Sequence, residues 1–107
     1  MLSEHEHVDG IFINTDLVAV GAIAELNNRG IKVPEDIAIV GFSNWFMSSV
    51  ISPKLTTINQ PGFDMGKQSF KLLYKEIKAS KKNNPLVPKT VVLDTDLIIR
   101  ETTSSTR

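Results

Sequence analysis

The sequence predicts an α/β fold, a parallel sheet flanked by helices, and three observations carry that prediction. Two short, continuously apolar runs, Gly10-Ile11-Phe12-Ile13-Asn14 and Ile37-Ala38-Ile39-Val40-Gly41-Phe42, read as buried strands. Between them residues 17–29 keep a helical pattern. The passage from Gly10 to Phe42 takes 33 residues, the size of a βαβ unit, and such a crossover leaves its strands parallel.

Each element has a local warrant. Thr15 and Asp16 are good N-caps for the first helix, and Gly30 is a natural residue just past its end. Ile31-Lys32-Val33-Pro34-Glu35-Asp36 is a polar, proline-punctuated connection. Residues 45–51 are expected to make two helical turns before Pro53 stops them, and Leu55-Thr56-Thr57-Ile58 a third strand. An amphipathic helix follows over about 62–80, with Phe63, Gly66, Phe70, Leu73 and Ile77 on one stripe. Lys67, Lys71, Lys75, Lys78 and Lys82 lie along another face, which reads as solvated. Residues 81–85 form an exposed loop. Val91-Val92-Leu93 and Leu97-Ile98-Ile99-Arg100 offer one or two more strands, and the Thr/Ser-rich tail after Glu101 is expected to fray.

Composition narrows the function. With 107 residues there is room for one domain or part of a larger one. Twelve basic residues balance twelve acidic ones, whereas a domain that grips duplex DNA normally carries a net basic patch. The absence of cysteine excludes disulfides, thiolate zinc sites and thiol catalysis, and fits a cytoplasmic location. No apolar run approaches the roughly 20 residues that cross a bilayer, so no membrane partner is expected. Residues 1–7 lack the basic region and apolar core of a signal peptide, and read as the tail of a surface helix cut off from what preceded it. His5 and His7 there, beside Glu4 and Glu6, read as a solvated terminus rather than a metal site.

Enzymatic readings find little support. Gly41-Phe42-Ser43-Asn44-Trp45 has the start of a nucleophile elbow but lacks its second glycine, and no histidine falls near Ser43 in sequence. No glycine-rich phosphate loop follows either strand. No catalytic residue, metal or cofactor is expected, and a hydrolase acting through Ser43 is a distant alternative.

Two features point to binding instead. The first helix has no charge between Leu17 and Ala24, although one apolar stripe suffices to cover a sheet. Its other face is therefore buried too, either inside a larger monomer or against another subunit. Ligands of open α/β sheets bind beyond the carboxyl ends of the strands. Those ends carry Asn14, Thr15 and Asp16, then Ser43, Asn44 and Trp45, then Asn59 and Gln60. Amides and hydroxyls both donate and accept, a set suited to hydroxyl-rich or amide-bearing ligands, and a tryptophan could offer an apolar face to a sugar ring. The same residues would also serve simply as caps and turns.

The motifs Asp9-Gly10-Ile11-Phe12-Ile13-Asn14-Thr15-Asp16, Ala19-Val20-Gly21-Ala22 and Gly30-Ile31-Lys32-Val33-Pro34-Glu35-Asp36-Ile37-Ala38-Ile39-Val40-Gly41-Phe42 resemble the C-terminal part of lactose-repressor/galactose-repressor (LacI/GalR) family transcription regulators. Pro53-Lys54-Leu55-Thr56-Thr57-Ile58-Asn59-Gln60-Pro61, Met65-Gly66 and Leu97-Ile98-Ile99-Arg100-Glu101-Thr102-Thr103 extend the resemblance over nearly the whole chain. It implies a periplasmic-binding-protein-like, Rossmann-like domain of two subdomains with a small-molecule effector in the cleft. Residues 8–54 and about 88–103 would belong to the C-terminal subdomain, and about 55–87 to a crossover and helix of the other.

By the same resemblance Ser43 falls where the family usually has an aspartate contacting the effector. Thr15 falls at an often ligand-contacting asparagine, and Gln60 at a crossover glutamine near the cleft. The ligand-binding set is then Thr15, Asp16, Ser43, Asn44, Trp45 and Gln60. Val20, Ala24 and Ile51 would form the dimer interface. Without the carboxylate at Ser43, a sugar, another small molecule or a partner protein all stay open. The resemblance further implies that DNA is read only by an N-terminal helix-turn-helix outside this chain. Phe63, Phe70, Leu73 and Ile77 would lack their native core, so a homodimer or a domain-swapped oligomer is expected. The competing reading is a solute-binding protein of a transport system.

Overall fold

The computed structural model describes residues 8–83 and 87–104. In chain order it has β1 (Gly10–Phe12), α1 (Asp16–Asn28), β2 (Ala38–Val40), a 3-10 helix (Phe46–Ser49), β3 (Thr57–Asn59), α2 (Gly62–Lys81) and β4 (Asp96–Ile98). The readings of residues 1–7, of Asn84 and Pro85 in the loop, and of the tail beyond Ser104 fall outside the described residues.

The expected βαβ unit is present. β1 and β2 pair in parallel with Ile11 opposite Ile39. Backbone bonds carry the ladder past the strand ends, from Ile13 N to Val40 O (2.8 Å) and from Asp16 N to Phe42 O (3.1 Å). On its other side β2 meets the third strand in parallel, through a bridge at Thr56 and bonds from Gly41 N to Thr56 O and Ser43 N to Ile58 O, both 2.9 Å. β3 then pairs antiparallel with β4.

The core follows from periodicity. Ala19, Ile23 and Leu26 share one face of α1 and pack with Val33, Ile37, Ile39 and Leu55, all buried. Leu17 and Val18 stay 65% and 55% exposed, so the apolar excess of α1 lies outside this core. At the C-terminal end of α1 Gly30 takes φ 73°, Gly30 N bonds Asn27 O, and Ile31 N bonds Leu26 O. That is the paired termination that satisfies a helix's last carbonyls.

Three expectations change, here and in the tail. Residues 45–51 form one 3-10 turn rather than two helical turns, with i→i+3 bonds from Ser48 N to Trp45 O and Val50 N to Met47 O. The third strand begins at Thr57, two residues later than expected, though Thr56 already bridges β2. Of the one or two further strands expected, one forms, Asp96–Ile98, and Val91-Val92-Leu93 forms none.

The tail does not fray before Ser104. Thr102 is 0% exposed, its carbonyl accepts Ile39 N (2.9 Å), and its hydroxyl donates to Ile39 O (2.7 Å) while accepting Thr56 N (2.8 Å). The Glu101 carboxylate accepts Lys54 N at 2.8 Å, and the hydroxyls of Thr56 and Thr103 meet at 2.8 Å. A threonine hydroxyl both donates and accepts, so a Thr-rich segment can stand in for a strand where β2 and the third strand part.

The described residues up to Gln60, with those from Asp96 on, make one compact unit, and Pro61–Thr95 makes a second. In the second unit α2 has no buried residue. Phe63 is 86% and Phe70 66% exposed, so its apolar stripe is uncovered. Along α2 Phe70 stacks with Tyr74 and the Lys78 ammonium lies 4.7 Å from the centre of the Tyr74 ring. No described helix is long and apolar enough to cross a membrane.

Candidate functional site

Parallel order sets the carboxyl ends of β1, β2 and β3 side by side, and the sequence-predicted residues of the first unit gather there. Asn14 is exposed, Thr15, Ser43, Asn44, Asn59 and Gln60 are half-buried, and Trp45 is 36% exposed. Thr15 occupies the N-cap position of α1 in extended backbone, but its side chain makes no capping bond.

Asp16 lies beneath this rim. It is 0% exposed, and its Oδ1 accepts the Thr57 hydroxyl at 2.7 Å. Its Oδ2 accepts the Trp45 backbone N–H at 2.9 Å and the Ser48 hydroxyl. A buried carboxylate is costly unless hydrogen bonds replace its water, and these three neutral donors do so. The space is made by Gly41, where a Cβ would fall 2.2 Å from Asp16 Oδ1. The structure thus sets Asp16 under the rim and fully hydrogen-bonded, whereas the other five predicted ligand residues lie on the rim with exposed or half-buried surface.

Asn44 is held as firmly. Its backbone N–H donates to the Thr57 hydroxyl (3.2 Å) and its Nδ2 to Asn59 Oδ1 (3.1 Å). Its Oδ1 accepts the Arg100 guanidinium at 2.8 Å, and that guanidinium also donates to Leu55 O at 2.9 Å. Ser43 and Asn44 take φ 116° and 53°, in the left-handed half of backbone space. Asparagine tolerates that conformation, whereas serine at φ 116° is strained and is held by its surroundings. Arrangements of this kind cluster where a loop must present side chains in one geometry.

Sequence reading missed Thr57, Ser48, Gly41 and Arg100 as builders of the site. The signals were faint: a glycine inside an apolar strand, and a threonine pair that β propensity alone accounts for. The rim can offer neutral donors, neutral acceptors and the face of an indole, which suits hydroxyl-bearing ligands.

A second surface belongs to the same unit. Val20, Ile23, Ala24 and Asn27 of α1 line a shallow, largely apolar depression with Ile51 and Ser52. All three residues expected at a dimer interface, Val20, Ala24 and Ile51, therefore border one feature.

Residues 2–103 match the family model of the periplasmic binding protein-like domain. The ribose operon repressor of Halalkalibacterium halodurans is 38% identical over 103 residues, 96% of this chain and 30% of that repressor. A solved complex of the transcriptional regulator CelR with cellobiose superposes with a TM-score of 0.84 at 32% identity, covering 95% of this chain and 30% of the other. A LacI family regulator from Enterococcus faecalis with bound ribose gives 0.77 at 36% identity, over 92% and 35%. The chain thus spans about a third of the length of the regulators it matches. With its βαβ sheet and polar rim, the chain belongs to the periplasmic-binding-protein-like domain family, in the form carried by LacI-type transcription regulators.

Proposed function

We propose that this chain is the effector-sensing and dimerising region of a cytoplasmic LacI-type regulator whose effector is a sugar or a related small molecule. The observation that carries the reading is the uncharged rim, Thr15, Ser43, Asn44, Trp45 and Gln60, set over the buried Asp16. Hydroxyl-rich ligands need donors and acceptors in fixed places, and the rim's backbone bonds fix them. Asp16 acts in this reading by holding the rim. Ligand-bound relatives carrying cellobiose and ribose support a carbohydrate, and the naming of the relatives as transcriptional regulators favours regulation over transport and over catalysis.

In this reading a second subdomain of the full-length regulator supplies the opposite wall of the cleft, and DNA is bound by a separate helix-turn-helix. Effector binding would shift the balance between two arrangements of the subdomains and so re-space the paired DNA readers. Dimers form through Val20, Ala24 and Ile51. In the isolated chain the uncovered Phe63, Phe70 and Leu73 drive further self-association, and a strictly monomeric mass with cooperative unfolding would contradict this.

The test is a thermal-shift screen of the full-length regulator with ribose, cellobiose and a panel of related sugars. A ligand at about 100 times its Kd adds about 2.7 kcal/mol to apparent stability, a readily measured rise in Tm. Trp45→Ala should abolish the rise for the sugar that binds. No shift with any sugar, or a signal sequence in place of a helix-turn-helix ahead of this region, would sink the proposal.

A further inference from the structure

The rim and the apolar depression are separate surfaces of one unit, yet one side chain touches the structures behind both. Asp16, Val20 and Ala24 stand four residues apart in turn, so they run along one side of α1. Asp16 Oδ2 accepts the backbone N–H of Trp45, a rim residue, and also the hydroxyl of Ser48 in the 3-10 helix. That helix leads directly into Ile51, whose N–H bonds Met47 O at 3.0 Å and whose side chain lines the depression with Val20 and Ala24. Ser48 is itself fixed, with 0% exposure and its carbonyl accepting Leu55 N at 2.8 Å.

We infer that Asp16 is a positioning residue that ties the rim to the Val20, Ala24 and Ile51 face, so that a change at either surface reaches the other through its carboxylate. Displacing Trp45 toward or away from a ligand pulls on the oxygen that also holds Ser48. Movement of Ser48 or of the first turn of α1 alters the outline of the depression. Removing the carboxylate breaks this link, because an Asp16→Ala side chain offers no acceptor to the Trp45 N–H or to the Ser48 hydroxyl. The inference rests on the proposed roles of the two surfaces, but its test uses no sugar and no self-association.

The readout is amide hydrogen exchange at Trp45 in the 107-residue chain, at concentrations where sedimentation gives one species. Asp16→Ala should speed Trp45 exchange by about tenfold, because its hydrogen bond to the carboxylate is lost. Ala24→Phe, which fills the depression from an exposed position, should change Trp45 exchange by about threefold or more with Asp16 present. In the D16A background the same substitution should add nothing. An equal effect in both backgrounds, or no effect with Asp16 present, overturns the inference. If D16A fails to fold by circular dichroism, Ser48→Ala replaces it and must likewise abolish the Ala24→Phe effect. Failure of every sugar to bind with the relay intact would remove the effector reading alone.

Discussion

Replacing Gly41 by alanine tests the geometry under the rim directly. The new Cβ would stand 2.2 Å from Asp16 Oδ1, 3.3 Å from Asp16 Cγ and 3.0 Å from Leu55 Cδ2. Leu55 is 0% exposed and packed in the core, so the carboxylate must give way. Reaching ordinary contact takes about 1 Å, which carries bonds of 2.7 and 2.9 Å out of range or badly off line. Overpacking costs about 1–3 kcal/mol and a lost hydrogen bond to a charged group about 1.5–3 kcal/mol. Some relaxation offsets the sum, so a net loss of about 2–4 kcal/mol is expected, a large share of the roughly 5–15 kcal/mol typical of a domain. Urea unfolding followed by Trp45, the single tryptophan, measures it as a lower midpoint at constant slope. The cause is separable from general crowding, because Asp16→Ala removes the clashing atoms. Gly41→Ala should cost far less in that background, and additive losses would refute the argument, as would a loss below about 1 kcal/mol.

Two further substitutions probe the tail and the surface. Thr102→Val keeps the shape but strands the Ile39 carbonyl and the Thr56 N–H, so urea unfolding should show a loss of about 2 kcal/mol; a loss under about 0.5 kcal/mol would restore the frayed-tail reading. Arg29→Ala breaks an ion pair of 3.0 Å whose side chains are 62% and 58% exposed, and should move stability by less than about 0.5 kcal/mol in a thermal melt. A loss above about 1 kcal/mol there would mean that the C-terminal end of α1 depends on more than its backbone cap.

Local chemistry decides what can be read from the sequence. The α1 stripe of Ala19, Ile23 and Leu26 is legible because a helix repeats its buried face every three or four residues. Gly30 is legible because few residues accept φ 73° at a helix end. Thr102 is not, because the hydrogen bonds of its hydroxyl reach residues 46 and 63 positions away, and a short Thr/Ser run looks the same whether it frays or stitches a sheet. The 3-10 turn is hidden for a related reason. Residues 45–51 have helical spacing, but Asp16 claims the Trp45 N–H and the Ser48 hydroxyl. On α2 the apolar stripe is plain in the sequence, but a pattern announces that a face is meant for burial without saying what buries it.

Asp16 shows most clearly where one-dimensional reasoning stops. An acidic residue in the first turn of a helix is adequately explained by the N-terminal end of the helix dipole, and an acidic residue at a strand end by a ligand. Neither account requires a glycine at position 41 or a hydroxyl at Thr57, and both are needed here. The carboxylate stays below the rim because Gly41, Trp45, Ser48 and Thr57, the last of them 41 positions away in sequence, converge on it. Its oxygens are satisfied by protein donors before any ligand arrives. In the proposed role as a binding rim, its polar atoms would meet a ligand in positions already set, lowering the ordering cost that a looser loop would incur. A charge at Asp16 and neutrality at Ser43, Asn44 and Trp45 are therefore two parts of one arrangement, with the ionic group fixing the geometry and the uncharged groups presenting it.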